Sequence, residues 1–332
     1  MKQLAVLGAG SWGTALAIAL APRFESIRIW TRDAERAAEM FRLRENRRYL
    51  PGFALPDHAH ICSDLAFTLA DAEVVLCAVP SSHLRNVLTC AKEFLSGGPI
   101  VVSATKGIEE QSLNRMSQVI AETLAGIGST RIAVLSGPTF AKEIAAGEPA
   151  AVVVAACEIT VATQIQHAFA TPTLRLYASR DVVGVEIGAA LKNIIAIGAG
   201  ICSGLGLGSN SVAALITRGL AEITRLALKL GGDPHTLSGL AGLGDLVLTA
   251  TGDLSRNRYV GIELGRGRKL PEILAAMTMI AEGVSTCRAA YQLGLNENVD
   301  LPIIRQMYAV LYEAKDPRHA IRDLMDRPLT NE

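Results

Sequence analysis

Charge is sparse in this sequence, and its two signs cancel. Only 19% of the 332 residues are charged, with 32 Lys and Arg against 32 Asp and Glu. That balance excludes recognition by net field, so neither nucleic acid nor an anionic membrane surface is an expected partner. Any anion has to be held by a local cluster of donors. Cysteine pairs are lacking too. Cys62, Cys77, Cys90, Cys157, Cys202 and Cys287 include no C-x-x-C spacing, which speaks against a disulfide framework and for reduced thiols in a cytosol. No metal-ligand cluster is in view: Asp57, His58 and His60 have no third ligand near them in sequence. Repeats and low-complexity tracts are missing, and a single lysine precedes the first apolar run, which is unlike a signal peptide. One long apolar stretch, Val182 to Ile201, could pass for a membrane span. Glu186, Lys192, Asn193 and four glycines interrupt it, so a buried helix without stable membrane insertion is the better reading.

What the chain does have begins at once. Leu4 to Leu7 is an apolar run suited to a parallel strand buried on both faces. Gly8, Gly10 and Gly13 follow at the spacing G-x-G-x-x-G, and Thr14 to Leu20 is small and helix-favouring. In a strand-turn-helix the first glycine permits the tight turn, the second admits a pyrophosphate, and the third lets helix and strand pack closely. The helix start adds unpaired N–H groups and a positive dipole end. Strand-like and helix-like segments then alternate to about Arg180. Beyond it only helical periodicity and glycine loops remain. This predicts an N-terminal Rossmann-type doubly wound α/β sheet, residues 1–180, and an all-α C-terminal domain, residues 181–332. Arg42 to Arg48, with Pro51, Gly52 and Pro56 after it, is expected to be a solvated basic loop.

Several stretches carry chemistry. Arg32, just past the second strand at Ile27 to Trp30, suits a 2′-phosphate and favours NADP(H). Asp33 leaves NAD(H) open, since it either binds a ribose or caps the next helix. Lys106, in Ser103-Ala-Thr-Lys106-Gly107, follows a strand on the edge where such sheets bind ligands. Gly184, Gly188, Lys192, Ala196 and Gly200 fall four apart on one stripe of a helix. The stripe serves close packing of another backbone, or a ligand with the amine aimed at the reacting carbon. In the second case, burial and a nearby lysine such as Lys106 would lower the pKa of the amine toward that of a general base. Ser238 to Leu246 is a glycine-dense loop around Asp245. Ser255, Arg256 and Asn257 precede a helix and suit an anion, unless Ser255 only caps it. Glu282 finds no role by physics alone.

These segments, in this order, resemble the bacterial-type NAD(P)-dependent glycerol-3-phosphate dehydrogenase family. The resemblance runs end to end and rests on Gly8 to Gly13, Thr105-Lys106-Gly107, Ser136-Gly-Pro-Thr139-Phe-Ala141, Gly188 to Gly200, Leu243-Gly-Asp245-Leu and Ser255-Arg-Asn257. It implies hydride transfer between a nicotinamide and C2 of dihydroxyacetone phosphate or sn-glycerol 3-phosphate, feeding phospholipid synthesis in the cytoplasm, without a metal. A homodimer is compatible with it. Position by position, it implies Lys192 as proton donor and acceptor. Lys106, Gly137, Thr139, Lys192, Asp245, Ser255, Arg256 and Asn257 become substrate contacts. Gly8, Gly10, Ser11, Trp12, Gly13, Arg32, Tyr49, Lys106, Ala141, Arg256 and Glu282 become cofactor contacts. The family often has histidine in place of Arg32 and a basic residue in place of Asp33. Two rival readings share the architecture: another helix-lysine reductase acting on a hydroxy acid, and a non-catalytic NADP sensor.

Overall fold

The computed structural model describes residues 2–127 and 131–329, so Met1 and residues 330–332, the outer ends of the two expected domains, lie outside it. The strands are β1 (Gln3–Leu7), β2 (Ser26–Trp30), β3 (Glu45–Asn46), β4 (Leu50–Ala54), β5 (Ala59–Cys62), β6 (Val74–Cys77), β7 (Ile100–Ser103), β8 (Arg131–Ser136), β9 (Ala150–Ala155) and β10 (Leu174–Ser179). Helices α1 (Ser11–Leu20), α2 (Ala34–Leu43), α3 (Leu65–Leu69), α4 (Leu84–Ala91), α5 (Met116–Thr123), α6 (Ala141–Ala146) and α7 (Ile159–Phe169) alternate with them. After β10 come α8 (Val182–Gly204), α9 (Ser209–Lys229), α10 (Pro234–Ser238), a π turn at Leu240–Gly244, α11 (Asp245–Thr251) and α12 (Arg256–Gly265). The chain closes with α13 (Leu270–Ala275), α14 (Glu282–Asn296), α15 (Pro302–Tyr312) and α16 (Pro317–Met325).

Two compact units result. Among the described residues, the first falls within Met1–Lys106 and Asn114–Glu186, the second within Gly107–Leu113 and Ile187–Glu332. In the first, the described strands form an eight-stranded sheet in the order β10-β9-β8-β7-β6-β1-β2-β5. Its pairs are parallel except β8 with β9. Leu4 and Val6 of β1 face one core cluster while Ala5 and Leu7 face another. Both faces are covered, so an unbroken apolar run is required. β1 pairs with β2 on one side and β6 on the other. The chain runs outward through β2 and β5, then returns to β6. The crevice for a ligand therefore opens at the carboxyl end of β1, where the glycine turn lies.

The stretch expected to be a basic loop is more ordered than that. Arg47 and Arg48 are exposed, but β3 and β4 pair antiparallel around them, and Asn46 is fully buried. Segment 59–62 also becomes part of the sheet, as the edge strand β5 beside β2. Neither short strand has the long apolar period that marks a strand in sequence.

The second unit is helical among its described residues. α8 is long and apolar enough to cross a membrane by length and composition, yet 89% of its most apolar window is buried inside the protein. Near its start, in the first unit, Glu186 accepts from Arg115 Nη1 at 2.5 Å, Ser117 N at 2.7 Å and Ser117 Oγ at 2.6 Å. Those donors compensate a buried carboxyl that desolvation pushes up.

A second buried acid ties α9 to α15. Glu222 is 2% exposed and accepts from Ile303 N at 2.7 Å and Ile304 N at 3.2 Å. Burial pushes its carboxyl up to about 7, against the pull of those two N–H groups and Arg225. A carboxyl whose folded pKa is raised gives full stability below its unfolded pKa and loses it as pH rises through the folded value. Between pH 5 and pH 8, wild type is therefore expected to lose roughly 2–3 kcal/mol relative to Glu222→Gln. Denaturant titrations of both proteins at the two pH values check this. A pH-independent difference would rule it out.

Candidate active site

In the first unit the glycine turn has the geometry its spacing requires. Gly8 sits at φ +116°, and a Cβ there would lie 2.8 Å from the Ala78 carbonyl oxygen. A Cβ on Gly13 would lie 2.0 Å from the Gly8 carbonyl oxygen, whereas nothing stands within 4 Å of one on Gly10. Gly10 also leads α1 with no side-chain cap. Ser11 and Trp12 open that helix, and the buried indole N–H of Trp12 has no hydrogen-bond partner. An open backbone face before an uncapped helix start suits a dinucleotide pyrophosphate. Behind the turn, Asn46 Nδ2 donates to Ala9 O at 3.0 Å and Thr14 Oγ1 at 2.8 Å. This buried asparagine ties the β3–β4 hairpin to the turn.

Beyond β2, Thr31 is buried and Arg32 exposed. Asp33 is the N-cap of α2, accepting from Arg36 N at 3.1 Å. On the same unit Lys106 Nζ donates to Gly137 O at 3.3 Å, and Thr139 Oγ1 donates to the same oxygen at 3.2 Å. Lys106, Gly137 and Thr139 thus converge on one carbonyl. The chain has no room there for a side chain at position 137, since a Cβ would lie 2.9 Å from Val152 Cα. Ala141 opens α6 just beyond.

In the second unit the glycine stripe of α8 packs against backbone. A Cβ on Gly188 would lie 2.7 Å from Ala241 O, and one on Gly200 2.1 Å from Arg258 O. α12 answers in kind, for a Cβ on Gly261 would lie 1.9 Å from Ile197 O. Lys192 lies between these contacts, 4% exposed. Its ammonium donates to Asp245 Oδ1 and, at 2.8 Å, to Thr249 Oγ1. Asp245 opens α11 and is fully buried, and Thr249 lies one turn later on the same face.

The next residue, Asn193, extends the network. Asn257 Nδ2 donates to Asn193 Oδ1 at 3.0 Å, and Asn257 Oδ1 accepts from Gly283 N at 2.9 Å. Ser255 caps α12, its Oγ accepting from Arg258 N at 3.2 Å. Arg256 is the first residue of that helix and donates through Nη1 to Ile280 O at 2.9 Å. Burial draws its guanidinium below the ordinary value, and Glu282, at the start of α14, opposes that shift.

The comparisons with known proteins agree with one another. Residues 3–162 match the family model described as NAD-dependent glycerol-3-phosphate dehydrogenase N-terminus, and residues 181–322 match the corresponding C-terminus. The chain is 52% identical over 334 residues to glycerol-3-phosphate dehydrogenase (NAD(P)+) of Koribacter versatilis, covering 100% of this chain and 99% of that one. The chain belongs to the NAD-dependent glycerol-3-phosphate dehydrogenase family. A relative of the same name from a Geobacter species is 50% identical over 331 residues, covering 100% of this chain and 99% of its own. The crystal structure of glycerol-3-phosphate dehydrogenase from Coxiella burnetii superposes with a TM-score of 0.94 at 37% identity, covering 98% of this chain and 99% of that chain.

As a member of the glycerol-3-phosphate dehydrogenase family, the chain is an NAD(P)-dependent oxidoreductase acting on a CH–OH group. Among its described residues no group of three His, Cys, Asp or Glu side chains could hold a metal ion. Asn46 and Thr249 of these networks carry no signal that singles them out in the sequence, and Asn193 was marked only as a polar break in an apolar helix. Asn46 lies in a run dominated by arginine. Thr249 could have been found from its i, i+4 spacing to Asp245 once α11 was assigned.

Proposed function

We propose that the chain interconverts dihydroxyacetone phosphate and sn-glycerol 3-phosphate, with Lys192 moving the proton at the C2 oxygen. The observation that carries this reading is a buried lysine held by Asp245 and Thr249 on a helix bedded by glycines. The nicotinamide, when bound, supplies or accepts the hydride at C2. In the reducing direction Lys192, as ammonium, gives a proton to the developing C2 alkoxide and is left as the neutral amine. In the oxidising direction the amine takes the hydroxyl proton. Such help is typically worth about 10²–10⁴ in rate. Asp245 and Thr249 aim the amine, and the Asp245 carboxylate stabilises the ammonium whenever it forms.

Other roles follow from chemistry and place. Arg256, Ser255 and Asn257 gather at the start of α12, where an N-terminal dipole end suits the substrate phosphate. Lys106 and Thr139 present donors beside Gly137 for the substrate's polar groups. The glycine turn, Ser11, Trp12, Tyr49, Ala141 and Glu282 serve the cofactor. The reaction runs mainly toward glycerol 3-phosphate, a backbone for phospholipids, in the cytoplasm, which accords with six free cysteines. The rival readings lose ground. Relatives about half identical over the whole chain bear the dehydrogenase name, and a sensor has no use for a buried lysine and acid pair. Oxidation of NADPH on adding dihydroxyacetone phosphate, followed by its absorbance, tests the reading. Turnover of a keto acid in place of the phosphorylated ketone would overturn it.

Asp33 is committed to capping α2, which supports NADP(H) over NAD(H), with Arg32 reading the 2′-phosphate. Arg32→Ala is expected to weaken NADPH by about ten- to a hundred-fold, the worth of one lost charged contact, and NADH hardly at all. Fluorescence titration with both cofactors measures this. Equal weakening would take the 2′-phosphate away from Arg32.

A further inference from the structure

Arg32 is not the only cation at the end of β2. Arg36, in the first turns of α2, places its guanidinium carbon 5.1 Å from the centroid of the Tyr49 ring. The guanidinium carbon of Arg48 lies 5.4 Å from the same centroid. Arg36 also donates through Nη2 to Thr31 Oγ1, on the residue that separates β2 from Arg32. Its Nε is shielded from water and has no hydrogen-bond partner. Asp33 accepts from the backbone N–H of Arg36 and not from its side chain. None of the ion pairs formed among the described residues includes Arg32, Arg36 or Arg48.

Two arginines share the Tyr49 ring and Arg32 stands at the end of the same strand, none of them with a carboxylate partner, so the cluster is costly unless an anion joins it. Like charges repel, and a shielded donor left unmade is expensive. An exposed arginine alone also loses side-chain entropy when it binds. Arg36 has already lost that freedom, since Tyr49 and Thr31 hold its guanidinium in place. A fixed, planar fork suits the oxygens of a phosphate.

We infer that Arg36 is a second reader of the 2′-phosphate of NADP(H), held ready by Tyr49 and Thr31. This rests on the reading that the end of β2 receives that phosphate. Arg48 adds charge to the cluster through the other guanidinium on Tyr49, and the hairpin bearing both is anchored to the glycine turn by Asn46. Basic hairpin and glycine turn thereby serve one dinucleotide.

Calorimetric titration of wild type, Arg36→Met, Arg36→Lys and Arg32→Ala with NADPH and with NADH tests the inference. Methionine keeps an apolar stem against Tyr49 and removes the guanidinium. The NADPH constant of Arg36→Met is expected to weaken about ten- to a hundred-fold, with that of NADH nearly unchanged. Arg36→Lys should fall between, keeping the charge and losing the fork. It also decides the matter if Arg36→Met does not fold. Equal weakening of both cofactors, or no change in either, would overturn the inference, because supporting Tyr49 is a role blind to the 2′-phosphate. The underlying reading fails separately, if wild type binds NADH as tightly as NADPH or Arg32→Ala weakens both alike. Arg36 is judged only by its own NADPH to NADH ratio.

Discussion

Replacing Lys192 with methionine is expected to lower kcat by about 10²-fold or more, with the dissociation constant for NADPH nearly unchanged. Methionine matches the lysine stem and removes only the proton-carrying nitrogen. The substitution leaves the glycine turn at Gly8 to Gly13 untouched, so cofactor affinity is expected to be kept. Stability is expected to change. Asp245 is fully buried and donors to its carboxylate include Lys192. Removing one partner of a buried pair typically costs about 3–5 kcal/mol, because the remaining charge is left without compensation. Lys192→Met is therefore expected to melt earlier, and Lys192→Met with Asp245→Asn to recover much of the loss without regaining turnover. Steady-state kinetics and thermal melts of the two variants separate chemistry from folding. Near-normal kcat in the folded single variant would remove Lys192 from the proton transfer.

Arg256→Ala should lower kcat/KM for dihydroxyacetone phosphate by at least about 10²-fold, given roughly 1.5–3 kcal/mol for each lost charged contact and more than one such contact to a phosphate. The chain has no net charge, so a substrate dianion depends on a few local donors. Arg256 stands at the first position of α12, between the capping Ser255 and the bonded Asn257. Its bond to Ile280 O fixes the guanidinium in place, which lowers the entropy lost when a ligand binds. Binding energy gathered at this remote group can orient the carbonyl for reaction, so kcat is expected to fall along with affinity. The slow reaction of unphosphorylated dihydroxyacetone should barely change. A loss of the same size with both substrates would show that Arg256 serves the cofactor or the fold.

What the sequence determined by itself was local. A buried parallel strand needs an unbroken apolar run, and a tight turn before a helix needs Gly8, Gly10 and Gly13 at their spacing. Those demands act over a few residues, so the glycine turn, the alternation of strand and helix, and the change of character near Arg180 were all legible. The i, i+4 stripe on α8 was legible too, since helical geometry alone puts Gly188, Lys192 and Gly200 in line. Its purpose was not, because packing and ligand binding both ask for small residues. Only the tertiary structure decided that Gly188 and Gly200 receive the backbones of Ala241 and Arg258. It also brought Asp245 to Lys192 across 53 residues of chain. Asn46 reaches the turn from a run of arginines, where the short period of a two-residue strand leaves no mark. Contacts of this kind depend on how helices and hairpins stack. Their energy comes from burial and pairing of groups far apart in sequence, and no pattern of near neighbours encodes it.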